Sequence, residues 1–205
     1  VPALELSANS RTAGENRLGF YLDSSILNIA GGNFNTEKGI LVYAFNESGV
    51  NYAAGNIVLG EKIGFYIDNS TADFNSKEFN VLDNGVGVYM TNTQAGPVQQ
   101  SALNSLGKFI LGNNATGVYL KNADLKPVII GTKSYTLGGD IEINGTNSAA
   151  VMGINSNIEN TSNISSSSTL NKGIVLKTDD NSTYNLKNIS TISLLSDKSI
   201  GIYGT

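Results

Sequence analysis

Asn56 to Asn69 reads NIVLGEKIGFYIDN, and Phe79 to Asn92 reads FNVLDNGVGVYMTN. The two align without a gap. Each has an apolar run, a turn residue (Gly60, Asp83), a short spacer, a glycine (Gly64, Gly87), an apolar-Tyr-apolar run and a closing Asn. Lys108 to Asn122, KFILGNNATGVYLKN, is a third copy with one residue added at the turn. The runs are short, β-branched or aromatic, and bounded by Gly, Asp, Asn or Ser, so they read as strands. No stretch sustains the i, i+3, i+4, i+7 pattern of an amphipathic helix. The closest is QQSALNSL, Gln99 to Leu106, which suits a turn or two of helix inside a loop.

Working outward from these copies, the Tyr of the Gly-apolar-Tyr word recurs at Tyr21, Tyr43, Tyr66, Tyr89, Tyr119 and Tyr203, with Met152 and Val175 as weaker members. The steps are 22, 23, 23, 30, 33, 23 and 28 residues. A base step of this size is the mark of a solenoid, in which one supersecondary unit stacks on the next. The sequence therefore predicts an all-β chain, a right-handed parallel β-helix of about seven coils with inserted loops. The missing LxxLxLxxN and GGxGxD words argue against leucine-rich and calcium-roll repeats, and a β-sandwich would not repeat one word.

Three residues after the anchors stand Ser24, Asn46, Asn69, Asn92, Asn122, Asn155 and Thr178. Stacked Asn side chains form amide ladders, and Asn also tolerates the left-handed turn conformation. An Asn-rich composition also places Asn there by chance. Strand alternation puts Phe65 and Ile67, Val88 and Met90, and Val118 and Leu120 on one apolar face, read as the core. Ile174 and Leu176 are assigned to the same face. Gly and Tyr then share the outer face, Tyr as a stacked ladder with the glycine leaving room beside the ring; alternation alone also permits Tyr inward.

The long steps place enlarged coils at 93–107, 123–138 and 156–168. The last is low in complexity and reads as a loop. Insertions are where a repeat scaffold carries its individual features, so Pro97, Gln99, Gln100, Lys126 and Tyr135 are the candidate binding residues. The chain opens and closes inside the pattern, so 1–205 is expected to be a single β-helical segment of a longer solenoid.

Composition narrows the function classes. Of 205 residues, 40 % are hydrophobic and 15 % charged, with net charge −4. Without a basic cluster, nucleic acid is an unfavourable partner. There is no Cys and no His, which removes disulfides, thiolate metal sites and the usual Ser-His-Asp machinery. No metal, cofactor or catalytic residue is expected. The adjacent pair Asp179-Asp180, followed by Asn181-Ser182, reads as a polar turn; a carboxylate pair of a β-helical polysaccharide lyase or hydrolase is the alternative. The Asn-X-Ser/Thr sequons follow from composition.

The words GFYI, GVGVYM, TGVYL and SIGIYG, in a Cys-free, Asn- and Ser-rich chain, resemble the passenger regions of large fusobacterial type V autotransporter adhesins. The resemblance runs through Gly19–Leu22, Gly64–Ile67, Gly87–Met90, Gly117–Leu120 and Gly201–Tyr203. It implies an extended passenger on the bacterial cell surface, an outer-membrane β-barrel translocator elsewhere in the protein, and adhesion to a protein or glycan of host or neighbouring bacterial cells. The segment itself is expected to be monomeric and non-catalytic. The resemblance marks no binding residue.

Overall fold

The computed structural model describes residues 2–6, 11–13, 17–53, 56–75, 78–94, 100–105, 107–166, 173–179, 181–186, 191–195 and 200–204. Among them every regular element is a strand. Successive strands of the chain pass from a first sheet to a second and a third, then return one level higher. The first sheet stacks Ala3–Leu6, Ile26–Ile29, Gly49–Tyr52, Thr71–Phe74 and Ala102–Ser105. The second runs from Arg11–Ala13 to Ile192–Leu194, and the third from Leu18–Asp23 to Ile200–Gly204, with eight strands each. All pairings within these sheets are parallel. This is a parallel β-helix.

The third sheet carries the repeated word in register. Tyr21, Tyr43, Tyr66, Tyr89, Tyr119 and Met152 lie opposite one another in order. Beyond Met152 the partner is Lys177, and Tyr203 follows it. Val175 was the expected rung, so that expectation is two residues off. A shift of two preserves which residues face inward, and burial patterning cannot detect it. The misleading signal was Gly173-Ile174-Val175, whose glycine precedes the strand Ile174–Thr178 rather than lying in it. At that level Leu176 and Thr178 stand in register opposite Val151 and Gly153, and Ile174 opposite Ala149.

The second sheet departs from the ungapped alignment. Phe79 pairs with Ile57, and Val81 with Leu59, whereas the alignment would set Phe79 against Asn56. A one-residue slip reverses every side chain. The observed register buries Phe79 and Val81 and leaves Leu82 48 % exposed. The extra residue is taken up in the corner, where Leu82, Asp83 and Asn84 stand above Gly60 and Glu61.

The core is one continuous cluster. Its centre is aromatic: Phe79 stacks on Phe109 at 4.7 Å and 9°, with Phe65 and Phe74 against its edges. Tyr52 is buried among them, and its hydroxyl donates to the Gly32 carbonyl at 3.1 Å. Burial pushes the Tyr52 phenol up from 10.0 to about 12. A native pKa above the unfolded one means that the neutral phenol supports the fold below about pH 10. That support is lost as pH rises through about 12. An alkaline titration followed by phenolate absorbance is expected to show Tyr52 and Tyr66 ionising late, Tyr52 in step with unfolding, and Tyr52→Phe to reduce that phase.

Outside the third sheet the tyrosines stack as expected: Tyr43 on Tyr66 at 4.5 Å and 7°, Tyr66 on Tyr89 at 4.8 Å and 14°, Tyr89 on Tyr119 at 5.1 Å and 10°. Tyr21 ends the stack and is 61 % exposed. The word's glycines do not sit beside these rings. A Cβ on Gly64 would press on the buried Leu59 side chain and on the Gly87 carbonyl, and one on Gly87 would lie 2.6 Å from the Gly117 carbonyl. They allow the strand to bend at the corner with the second sheet while the coils stay in contact.

Candidate functional site

Corner by corner, the polar residues of this chain are occupied in holding one coil to the next. Ser24, Asn46, Asn69, Asn122 and Asn155 all have φ between 47° and 57°, so the Asn column is set mainly by the left-handed backbone. Side chains meet within it at Asn46 Nδ2 to Ser24 Oγ, 2.8 Å, and Asn155 Nδ2 to Asn122 Oδ1, 2.8 Å. Asn69 is buried, its Oδ1 accepting from the Gln94 backbone. Asn92 is the exception. It accepts from the Ser101 amide at 2.7 Å, closing the enlarged corner, and donates to the Asn122 carbonyl.

Beside this column runs a serine column that sequence reading missed. Backbone N–H groups of Ser25, Ser48 and Ser70 donate to the hydroxyls of Ser48, Ser70 and Ser101 in the coil above. Ala123 and Ser156 do the same toward Ser156 and Ser182. Each bond satisfies a corner donor that would otherwise go unpaired away from water. The signal was available as a Ser one or two residues after the turn residue in Ser24-Ser25, Asn46-Glu47-Ser48, Asn69-Ser70 and Asn155-Ser156.

A second Asn ladder lies at the corner between the second and third sheets. Asn84, Asn114 and Asn147 have φ of 61°, 52° and 56°. Asn114 donates to Asn84 at 3.2 Å and Asn147 to Asn114 at 3.4 Å. Asn84 therefore belongs to a ladder of its own. We expect Asn114→Ala to cost about 1–2 kcal/mol, because a Cβ-bearing residue without a local side-chain bond is strained there. Asn114→Gly should cost less, since it keeps the backbone and loses only the amide bonds. Denaturant melts of the pair separate the two contributions.

Among the described residues, one antiparallel element breaks the repeat. Leu137 bridges down to Ser105 and Leu125 up to Ile158. Between them the chain leaves the first-sheet side as an antiparallel hairpin, Val128–Ile130 against Lys133–Tyr135, turning at Gly131 with φ 62°. Ile129 is 74 % exposed. Of the candidate binding residues here, Lys126 is exposed and ion-paired to Asp124 at 2.9 Å. Burial pushes the Asp124 carboxyl up, but Lys126 and the Asn157 amides together hold it below its usual range. Tyr135 is 6 % exposed and packs inward, so it braces the hairpin rather than meeting a ligand.

The hairpin is fastened along the outer polar column of the first sheet. Asn28, Asn51, Asp73 and Asn104 lie opposite one another. Asn51 donates to Asn28 at 2.6 Å and Asn104 to Asp73 at 2.6 Å. Lys133 reaches down to this column, ion-paired with Asp73 and donating to Asn51 Oδ1 at 3.2 Å, under the Tyr135 ring.

The enlarged coil at 93–107 is smaller than the sequence suggests. Ala102–Ser105, expected as loop or helix, is a first-sheet strand paired with Thr71–Phe74. Gln100 is exposed just before it; Pro97 and Gln99 lie outside the described residues. The described part of the stretch expected as an enlarged coil at 156–168, residues 156–166, contains two strands. Asn157–Asn160 pairs with Thr183–Leu186, and Ile164–Ser166 joins the second sheet. Of its polar residues, Asn157 and Asn163 are exposed, whereas Ser156, Ser162 and Ser166 are buried in an ordinary coil.

Asp179 sits in a turn: its carbonyl accepts from the Ser182 amide, and its carboxylate from the Asn155 amide at 2.9 Å and the Ser182 hydroxyl at 2.8 Å. Those bonds hold the carboxyl below its usual range. Asp180 lies outside the described residues. Among the described residues no three His, Cys, Asp or Glu side chains are grouped to hold a metal. No family model, curated protein or solved structure matches the chain, so its own geometry carries the functional argument.

Proposed function

We propose that this chain is a structural and binding segment of a bacterial surface adhesin: a stacked rod that carries the hairpin at 126–136 toward a protein or glycan on a host or neighbouring bacterial cell, without catalysis. The observation that carries the reading is the contrast in the use of side chains. Corner Ser and Asn are committed to coil-to-coil bonds, whereas the hairpin departs from the repeat and presents Ile129, 74 % exposed, at its outer strand. A rod whose corner polar groups bond from coil to coil and which, among the described residues, displays this irregular element suits a spacer with a contact point. In this reading the segment lies outside the cell, attached through a translocator β-barrel elsewhere in the protein.

The test is binding of beads coated with the protein to epithelial and bacterial cells. Ile129→Asp and a variant with 126–136 cut to a tight turn are expected to keep the β circular dichroism and lose attachment. Attachment unchanged in both variants, with the fold intact, would make the segment a spacer only.

A further inference from the structure

Lys133, Asp73 and Asn51 come together from three different coils, and the set has a reactive geometry. Lys133 Nζ is 3.2 Å from the side-chain carbonyl oxygen of Asn51 and ion-paired with the carboxylate of Asp73. Asp73 and Asn51 are register partners on adjacent first-sheet strands, so their side chains project side by side. The Asp73 side chain is 6 % exposed, whereas Lys133 is 45 % exposed and its Nζ stands 5.9 Å from the centre of the Tyr135 ring. An amine, a carboxamide and a shielded carboxylate within contact of one another form the set needed for an amide exchange between side chains.

We propose that Lys133 and Asn51 are joined in the mature protein by an intramolecular isopeptide bond, with Asp73 as the proton shuttle. A proton passes from Lys133 Nζ to the Asp73 carboxylate, converting the ion pair to a neutral amine and a neutral acid. The free amine attacks Asn51 Cγ and forms the N–C bond. Asp73 returns the proton to Asn51 Nδ2, the Cγ–Nδ2 bond breaks and ammonia leaves, and the second proton of the attacking nitrogen passes to the Asp73 carboxylate, which ends as the neutral acid. Lys133 loses two hydrogens and Asn51 loses its amide nitrogen, so one ammonia is released and nothing is oxidised or reduced. Beside the buried Asp73 carboxylate the exchange proceeds through neutral species, and reacting groups already in contact have little entropy left to lose.

The geometry around the triad supports the direction of attack. Asn51 Nδ2 is turned away, donating to Asn28 at 2.6 Å, which presents the carbonyl to Lys133. Asn104 donates to the second oxygen of Asp73 at 2.6 Å and fixes the carboxylate on the column. The bond would close a loop across 82 residues and staple the protruding hairpin to the coil three levels below. For an element that bears load on a rod, a covalent staple resists peeling where a single ion pair does not.

The decisive measurement is the intact mass of the purified wild-type chain under denaturing conditions. The proposal expects a mass lower than the sequence mass by one ammonia. It also expects a protease digest with a branched peptide joining the Asn51 and Lys133 segments and no cleavage after Lys133. Lys133→Arg and Asn51→Ser should each restore the full mass with β circular dichroism unchanged. Asp73→Ala should leave the cross-link unformed even though both partners are present. A wild-type chain that holds its full sequence mass after days in neutral buffer overturns the proposal, and so does loss of ammonia that persists in Lys133→Arg.

Discussion

Phe79→Ala is expected to lower stability by about 3–5 kcal/mol. The side chain is fully buried, stacked on Phe109 at 4.7 Å and edged by Phe74 at 5.1 Å and Phe65 at 6.4 Å. The walls around it are strands held above and below by parallel ladders, Asn56–Leu59 and Lys108–Leu111, so the cavity has little freedom to collapse. In a stack stabilised by nearest-neighbour interfaces the loss falls on one coil, and the melt should broaden as the two halves separate. Leu82→Ala, a leucine three residues on, should change stability by no more than about 0.5 kcal/mol, because Leu82 stands out from the corner. The ungapped sequence alignment makes the reverse assignment, with Leu82 buried in the column of Leu59 and Phe79 on the surface beside Asn56. Urea melts of the two variants therefore test the register as well as the core. A large loss for Leu82→Ala and a small one for Phe79→Ala would restore the alignment.

That pair of residues shows where the sequence was legible. The solenoid and the outward Tyr ladder followed from one repeated word, because stacking brings identical residues into contact and a period is visible without knowing any partner. Corner lengths were not legible. The corner grows between the copies at Gly60 and Leu82, and a slip of one residue there is visible only through which of Phe79 and Leu82 is buried. The displaced rung at Lys177 failed for the opposite reason, since a shift of two leaves the alternation intact. For the candidate site, the sequence pointed to the stretch from Lys126 to Tyr135 by its length alone. It gave no way to tell that Tyr135 packs inward, or that Lys133 meets Asn51 and Asp73 from coils far back in the chain. Contacts of that kind depend on the path of an inserted hairpin, which no local period encodes.

Glycine substitutions give the sharpest test of how closely the coils approach. Gly145→Ala is expected to cost about 1–3 kcal/mol or more, because the added methyl has only backbone to meet. Built on the backbone, its Cβ falls far inside van der Waals contact of the Gly112 carbonyl and the Asn113 nitrogen. Neither atom can rotate away, and the two coils are tied there by the Gly145 and Asn144 amides, both donating to the Leu111 carbonyl at 2.9 Å. Relief requires the whole corner to lift, which also strains the Asn114–Asn147 rung beside it. Gly49→Ala is the matched control within the same rod. Its Cβ would meet Ile26 and Thr71 side-chain atoms at 3.6 Å, ordinary contact, and its φ is not in the left-handed region. Alanine there restricts the unfolded chain without a native clash and should stabilise by about 0.4–1 kcal/mol. Gly131→Ala isolates the third contribution: nothing lies within 4 Å, but φ is 62°, so it should lose about 1–2 kcal/mol from backbone strain alone. Chemical denaturation of the three variants should rank them in that order of sign and size. If Gly145→Ala were as mild as Gly49→Ala, the corner would not be the close backbone contact of Gly145 on Gly112.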